Sequence, residues 1–127
     1  MKRSCVWPLA GLSIGVGLLL GGCTREGTYS PQVPNGDAQR GQWVLRRYEC
    51  GVCHVIPGVR SARGQVGPSL AAYRRKSYVA GKFPNTAEYL TNWIINAPAL
   101  APQTAMPAMG ISARDATDVA AYLYTLK

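Results

Sequence analysis

The chain has 127 residues, a formal net charge of +8, four cysteines and one histidine. This length predicts one small domain with a modest core rather than several domains. The single histidine argues against sites built from several imidazoles, and the sequence contains no internal repeat.

Residues 1–23 are predicted to be an export signal. Lys2 and Arg3 form a short basic start, and an uncharged, mostly apolar stretch follows. The sequence LGGC at residues 20–23 resembles the bacterial lipobox, in which the cysteine is lipidated and becomes the new N-terminus. Cys23 is therefore predicted to carry lipid, and more than one acyl chain would anchor the protein stably. An ordinary cleaved signal and an uncleaved anchor helix are the alternatives.

Residues 24–36 follow as a polar segment that contains proline and glycine. This composition predicts a flexible linker. Residues 37–127 are predicted to form one folded domain.

Cys50-Gly51-Val52-Cys53-His54 is the most informative segment of this domain. Two thiols three positions apart, followed at once by an imidazole, are the attachment signature of c-type haem. The thiols of Cys50 and Cys53 can add across the two vinyl groups of one porphyrin, and His54 is then placed to ligate the iron. The motif predicts one covalently bound haem c with His54 as its proximal ligand.

The rest of the sequence argues against three other uses of the paired thiols. A thioredoxin-like redox pair lies in a βαβ surround, whereas the flanks here read as helical. A zinc site needs two further ligands, and the other cysteines, Cys5 and Cys23, fall in the predicted leader. A disulfide between Cys50 and Cys53 would close only a small, strained loop.

Three helices are predicted from hydrophobic spacing and capping residues, and no strand is predicted. The first begins after Asp37 and runs to about Tyr48, the second covers Thr86–Asn96, and the third begins at Ser112 with a capping-box aspartate. Gly41 would let the first helix cross the last one closely. The predicted core residues are Val44, Leu45, Leu90, Trp93, Ile94, Ala116, Val119, Ala120, Leu123 and Leu126, with Tyr122 and Tyr124 at the flanks.

The iron also needs a sixth ligand or an open face, and two methionines are candidates. Met106 lies in a loop before the last helix, where Pro102 and Pro107 restrict the backbone. Met109 follows three residues later. A thioether ligand favours ferrous iron and raises the reduction potential relative to two histidines. We expect Met106 to be the axial ligand, with Met109 as the alternative.

Taken in order, these segments resemble a bacterial class I cytochrome c over residues 37–127. The resemblance implies an all-α fold of three to five helices wrapped around one covalently bound haem, with His54 and Met106 as axial ligands. It also implies that the Pro68 carbonyl accepts a hydrogen bond from His54, although Gly67-Pro68 by itself indicates only a turn. The matching segments are Arg40-Gly41, Tyr48, Cys50–His54, Gly67–Leu70, Tyr78–Gly81, Asn85-Thr86, Trp93-Ile94, Thr104–Pro107 and Ala120–Leu123.

Four further side chains are candidates for contact with the haem propionates: Tyr73, Tyr78, Arg75 and Trp93. Buried Trp and Tyr need a polar partner, and a guanidinium pairs well with a carboxylate. Trp93 serves equally as a core residue.

The predicted function is single-electron transfer rather than catalysis, between a dehydrogenase or quinol oxidoreductase and a terminal oxidase. Similar domains occur as free carriers and fused to the copper subunit of haem-copper oxidases, and we expect this chain to be unfused. One alternative is a dedicated subunit of a single complex, which would use the same site residues. Another is a peroxidase or gas sensor with an open sixth position, although the sequence lacks a second histidine to act as acid or base.

The charge and the leader together predict the partners and the location. Without Lys2 and Arg3, 12 basic and 6 acidic residues remain, a net charge of +6. Such a field steers acidic protein partners, and an exported, membrane-anchored monomer or complex subunit facing the periplasm meets little nucleic acid. The basic residues in the half of the chain that should surround the haem are Arg46, Arg47, Arg60, Arg63, Arg74, Arg75, Lys76 and Lys82.

Overall fold

Three α-helices carry most of the structure in residues 32–127, the part of the chain that the computed structural model describes. Helix α1 spans Ala38–Arg47, α2 spans Ala87–Leu100 and α3 spans Ala113–Leu123. The structure therefore confirms the helical part of the predicted all-α fold, and it adds a small two-stranded sheet. No helix within residues 32–127 is both long enough and apolar enough to cross a membrane.

Short elements connect α1 to α2, and one of them corrects a prediction. Two 3₁₀ turns cover Cys50–Val52 and Tyr73–Arg75. Strands β1 (Tyr78–Val79) and β2 (Phe83–Pro84) then pair antiparallel. The prediction that no strand forms is wrong, because two residues on each side of a tight turn are too few for a hydrophobic alternation to register.

The predicted signal, with its candidate lipidation site Cys23, lies outside the described residues, as does most of the predicted linker. Its last residues are folded, however. Val33 packs against the core, and its carbonyl accepts the backbone N–H of Gly36. The packed region thus begins inside the segment 24–36 that was predicted to be a linker.

Helices α1 and α3 pack closely, and Gly41 makes that packing possible. A side chain at Gly41 would overlap the backbone carbonyl of Asp118 in α3 and press on the Cβ of Tyr122. The predicted close crossing of the first and last helices is therefore present.

Both helices are capped as predicted: Asp37 accepts the N–H of Arg40, and Ser112 accepts the N–H of Asp115.

A buried ionic cluster holds the same crossing together. Arg40 of α1 donates from Nη1 to Asp115 Oδ1 at 2.9 Å and pairs through Nη2 with Asp118 Oδ2. Asp118 is 2% exposed and also accepts the backbone N–H of Asp37 at 2.7 Å. Removing one partner of such a buried pair leaves an uncompensated charge, so the cluster resists substitution.

The pKa of Asp115 reflects this environment. Burial alone would raise the pKa of the Asp115 carboxyl, but hydrogen bonds from Ser112, Arg40 and Tyr48, with the charge of Arg40, lower it below its usual value. A lowered pKa means that the carboxylate stabilises the folded state above the ordinary aspartate pKa. That contribution is lost as the pH falls through the lowered value.

Helix α2 continues beyond its predicted end. Thr86 caps it by accepting the N–H of Tyr89, and the chain kinks at Asn96, whose φ of −154° and ψ of 81° are not helical. Asn96 Oδ1 then accepts the N–H of Ala99 at 3.2 Å and starts one further turn, which ends at Leu100. Leu90 and Ile94 are buried as predicted, while Trp93 is only half-buried.

Tyr122, in α3, and Tyr124, directly after α3, are part of the core. Tyr122 donates to the Pro57 carbonyl at 2.7 Å, and Tyr124 donates to Asn85 Oδ1 at 2.9 Å. Both rings are buried, so their predicted place at the flanks is wrong. Their hydroxyls satisfy the rule that a buried phenol needs a polar partner.

Replacing Gly41 by alanine should destabilise the protein by about 1–3 kcal/mol, because the new Cβ meets rigid backbone of α3. The gain in helix propensity, about 0.5–1 kcal/mol, is smaller. Urea unfolding of the full-length protein measures the difference in the free energy of unfolding. Gln39→Ala, on the exposed side of the same helix, is the matched control and should cause no loss. Equal stability of the two variants would contradict the close crossing.

Candidate functional site

The Cys50–His54 segment begins where α1 is forced to stop. Tyr48 caps α1, and Glu49 adopts a left-handed conformation with φ of 54°. The chain then turns, and the Cys50 carbonyl accepts the N–H groups of Cys53 at 3.3 Å and His54 at 3.0 Å. Both thiols and the imidazole therefore lie on one tight turn anchored to the end of α1.

A second stretch of chain, residues 62–70, runs beside this turn. Three backbone hydrogen bonds of 2.8–3.0 Å join the two. They run from Gly64 N–H to the Gly51 carbonyl, from Gly67 N–H to the Cys53 carbonyl and from Leu70 N–H to the Val55 carbonyl. The motif is thus held on a fixed backbone frame.

The imidazole of His54 is oriented by this second stretch. His54 Nδ1 lies 2.7 Å from the Pro68 carbonyl oxygen. Because a carbonyl oxygen only accepts hydrogen bonds, Nδ1 carries the proton and Nε2 keeps a free lone pair. The ring packs so closely on Gly67 that any side chain there would overlap it. His54 is therefore fixed in the tautomer that an iron ligand requires.

The two thiols are free and half-buried. Burial raises the pKa of the Cys50 thiol, and the nearby Cys53 adds to the rise, while a backbone hydrogen bond opposes it. Cys50 Sγ lies 4.0 Å from the Tyr48 carbonyl. Two reduced thiols, one turn apart and next to an oriented imidazole, fit the donor set that covalent haem attachment needs.

The loop between α2 and α3 carries both candidate methionines. Met106 is half-buried, whereas Met109 is 37% exposed. A chain of hydrogen bonds leads from α2 to Met106. The Ala97 carbonyl accepts Ala101 N–H at 2.9 Å, the Ala101 carbonyl accepts Thr104 N–H at 2.9 Å, and Thr104 Oγ1 accepts Met106 N–H at 3.2 Å. Of the two methionines, Met106 is therefore the one whose backbone is connected to α2 by this chain of hydrogen bonds.

The remaining candidate residues occupy separate places around residues 73–93. Tyr73 is buried and packs its ring 6.2 Å from that of Tyr124, and burial raises its pKa well above the usual value. Trp93 packs 6.3 Å from Phe83. Arg75 and Tyr78 are exposed. Contacts of Tyr78, Arg75 and Trp93 with haem propionates stay predictions.

The basic residues near the motif are spread over several elements rather than gathered on one. Arg46 and Arg47 end α1, and the others lie on the 55–63 loop, the second 3₁₀ turn and the β1–β2 turn. All are exposed except the half-buried Arg74.

Within residues 32–127, no three His, Cys, Asp or Glu side chains converge on a point that would hold a metal ion.

Two residues of the site were not recognised from the sequence. Gly67 was read as part of a turn, but its lack of a side chain is what admits the His54 ring. The side chain of Thr104 received no role, although it supports the backbone of Met106. A threonine two residues before an unpaired N–H is a common local acceptor, so the Thr104 contact had a sequence signal. The Gly67 contact joins residues distant in the chain and had none.

Comparison with known proteins shows a distant similarity to a respiratory protein. No model of a protein family matches the chain. Over 91 residues it is 31% identical to cytochrome c oxidase subunit 2 of Alkalihalophilus pseudofirmus, a stretch that covers 71% of this chain and 26% of that protein. The chain therefore spans about a quarter of the length of the relative it matches.

Replacing Gly67 by alanine should push the His54 ring away from the Pro68 carbonyl. Given the haem that the Cys50–His54 motif predicts, the chain should then take up less of it, and the bound haem should have a higher reduction potential, because a weaker Nδ1–H bond makes the imidazole a poorer electron donor. Gln65→Ala, on the same exposed loop, is the control. Haem content per chain and a redox titration measure both effects, with far-UV circular dichroism to check folding. A folded Gly67→Ala protein that matches the control in both measurements would contradict this role.

Proposed function

We propose that this chain is a monohaem c-type cytochrome that carries single electrons in a respiratory chain. One observation carries the proposal: the Cys50–Cys53–His54 turn holds two free thiols beside an imidazole whose Nδ1 is committed to Pro68. This arrangement leaves Nε2 to bind a metal.

The part played by the chain follows from these groups. Each thiol would add across one vinyl group of the porphyrin, so that sulfur bonds to one carbon and the thiol hydrogen passes to the other. His54, through Nε2, and Met106, through its thioether sulfur, would be the protein ligands of the iron. When bound, the haem supplies a one-electron centre whose redox chemistry is its own.

The backbone frame suits this task because electron transfer is fastest when little has to move. The motif turn is bonded to residues 64–70, and the Met106 loop is bonded back to α2. Fixed ligands would stay on the iron in both oxidation states. We therefore propose an electron carrier and not an enzyme, with one haem c as its cofactor.

The similarity to an oxidase subunit supports the respiratory setting. It also favours a second candidate function, a dedicated subunit that serves one terminal oxidase complex. Both candidates use the same residues and differ only in whether the partner is permanent. Co-purification with an oxidase from native membranes would select the subunit. Acidic docking partners stay part of the proposal, supported by the exposed arginines.

We further propose that the protein is exported and held at the membrane by lipid on Cys23. The sequence of residues 1–23 supports this location, and covalent haem attachment to such motifs also takes place outside the bacterial cytoplasm. The chain would then face the periplasm or the outer side of the cytoplasmic membrane.

The first test is the mass of the denatured protein made in cells that attach haem to such motifs. We expect the mass of the lipidated mature polypeptide plus that of one haem, with the haem retained after acid extraction. Cys50→Ser combined with Cys53→Ser should remove the added mass, whereas Cys23→Ser should keep it. A wild-type protein with no added haem would refute the cytochrome proposal.

The second test separates the two methionines. Met106→Ala should abolish the far-red band of thioether-ligated ferric haem and lower the reduction potential, because a neutral soft ligand that favours ferrous iron is lost. Met109→Ala is the matched control and should retain both properties. If only Met109→Ala loses the band, Met109 is the ligand. If neither variant changes it, the sixth position is not held by methionine.

A further inference from the structure

Helix α1 has a solvent-facing side that neither the haem motif nor the core explains. Its other side, with Gly41, Val44 and Leu45, is buried against α3. The exposed side carries the set Gln39, Trp43, Arg46 and Arg47, which we call the Trp43 face. Residues three and four apart lie together on one face of a helix, so these four side chains form a continuous strip.

Trp43 is the unusual member of this strip. Its side chain is 50% exposed, although an indole is among the most favourable groups to bury. The Arg47 guanidinium lies 5.5 Å from the centre of the Trp43 ring, in cation–π contact. Arg46 is exposed beside it, and within residues 32–127 no acidic side chain forms an ion pair with Arg46 or Arg47. The face therefore offers one amphipathic ring and two uncompensated cations.

An indole with neighbouring cations matches the boundary between a bilayer and water. Tryptophan favours that boundary because one part of the ring is apolar and its N–H is polar. Arginines near it attract anionic lipid headgroups. A protein partner of ordinary affinity buries about 800 Å² on each side, whereas this face has one large apolar side chain on a helix about 15 Å long. The chemistry fits a lipid surface better.

We propose that the Trp43 face lies against an anionic phospholipid surface and orients the haem domain on the membrane. The inference rests on the proposed lipid anchor at Cys23. Only nine residues separate Cys23 from the packed Val33, so the two Cα atoms are at most about 35 Å apart. A tether this short keeps the local concentration of headgroups high, so a contact too weak to hold a free domain can still orient a tethered one.

Orientation would affect electron transfer directly. Helix α1 ends at Arg47, and the haem motif begins at Cys50 after one reversal of the chain. Fixing α1 on the membrane therefore fixes the direction in which the motif faces. Partners embedded in the same membrane would then always meet the same edge of the haem domain.

The experiment uses the full-length, lipidated, haem-loaded protein in vesicles. With Cys50 and Cys53 bound to haem and Cys23 bound to lipid, a new cysteine is the one reactive thiol of the mature chain. We would place it at Gln39→Cys on the Trp43 face or at Lys76→Cys, an exposed site on another element. The rate of labelling by a membrane-impermeant maleimide is then compared between phosphatidylglycerol-containing and pure phosphatidylcholine vesicles.

Labelling of Gln39→Cys should be on the order of tenfold slower on the anionic vesicles, and labelling of Lys76→Cys should be equal on both. Adding Arg46→Gln with Arg47→Gln, or Trp43→Gln alone, should restore fast labelling at position 39. Arg60→Gln with Arg63→Gln removes the same charge from the 55–63 loop and is the matched control, which should leave labelling at position 39 slow.

Several results would overturn the inference. Equal labelling of Gln39→Cys on both kinds of vesicle would do so, as would equal slowing at positions 39 and 76. Slowing in native membranes but not in anionic vesicles would assign the face to a protein partner instead. Flotation of the haem absorbance with the vesicles tests the anchor separately. A chain that does not float refutes the lipid anchor, and the inference with it, while leaving the haem proposal intact.

Discussion

The close crossing of α1 and α3 is the constraint on which the rest of the structure depends. Gly41 lets the two backbones approach, and Arg40 then bridges to Asp115 and Asp118 across the contact. Because α1 is fixed in this way, the reversal at Glu49 delivers the cysteine turn to a defined place. A buried charge cluster of this kind does not add much net stability, but breaking one member of it is costly. The ionic cluster thus fixes how α1 and α3 align with each other as much as it stabilises their packing.

The site is built by joining two stretches of irregular chain to this helical frame. Apart from the 3₁₀ turn at Cys50–Val52, neither residues 50–54 nor residues 62–70 lie in a helix or a named strand. Their mutual backbone hydrogen bonds support both stretches, and Tyr122 and Gln42 bind the carbonyls of Pro57 and Gly58 in the loop between them. The hydrogen bond from His54 to Pro68 is the end point of this arrangement, because it orients the one imidazole of the chain.

The proposed haem site and the proposed membrane contact depend on opposite sides of the same helix, α1. The buried side of α1 positions the haem motif, and its exposed side has no partner among residues 32–127 beyond the contact of Arg47 with Trp43 and Tyr48. A carrier that is tethered and oriented gains encounter frequency with partners in its own membrane and loses freedom to reach others. Similarity to an oxidase subunit is compatible with such a restricted range of partners.

The sequence alone determined the features that depend on neighbours in the chain. The caps at Asp37 and Ser112, the helical spacing of the core residues and the composition of the haem motif are all local, and the helices follow them closely. The extension of α2 beyond Asn96 was missed because a proline at position 98 reads as a stop, whereas Asn96 restarts the helix as a cap.

Only the tertiary structure decided the features that join distant residues. Asp118 had no role among the sequence-based predictions, and in the structure it is buried and paired with Arg40 of α1. Gly67 reads as a turn residue, yet the ring of His54 occupies the space beside it. Local sequence specifies which backbone conformations are favourable, but long-range packing selects the pairs of side chains that share one volume. For that reason the sequence alone could single out His54 as the candidate iron ligand, whereas only the tertiary structure gave the orientation of its ring.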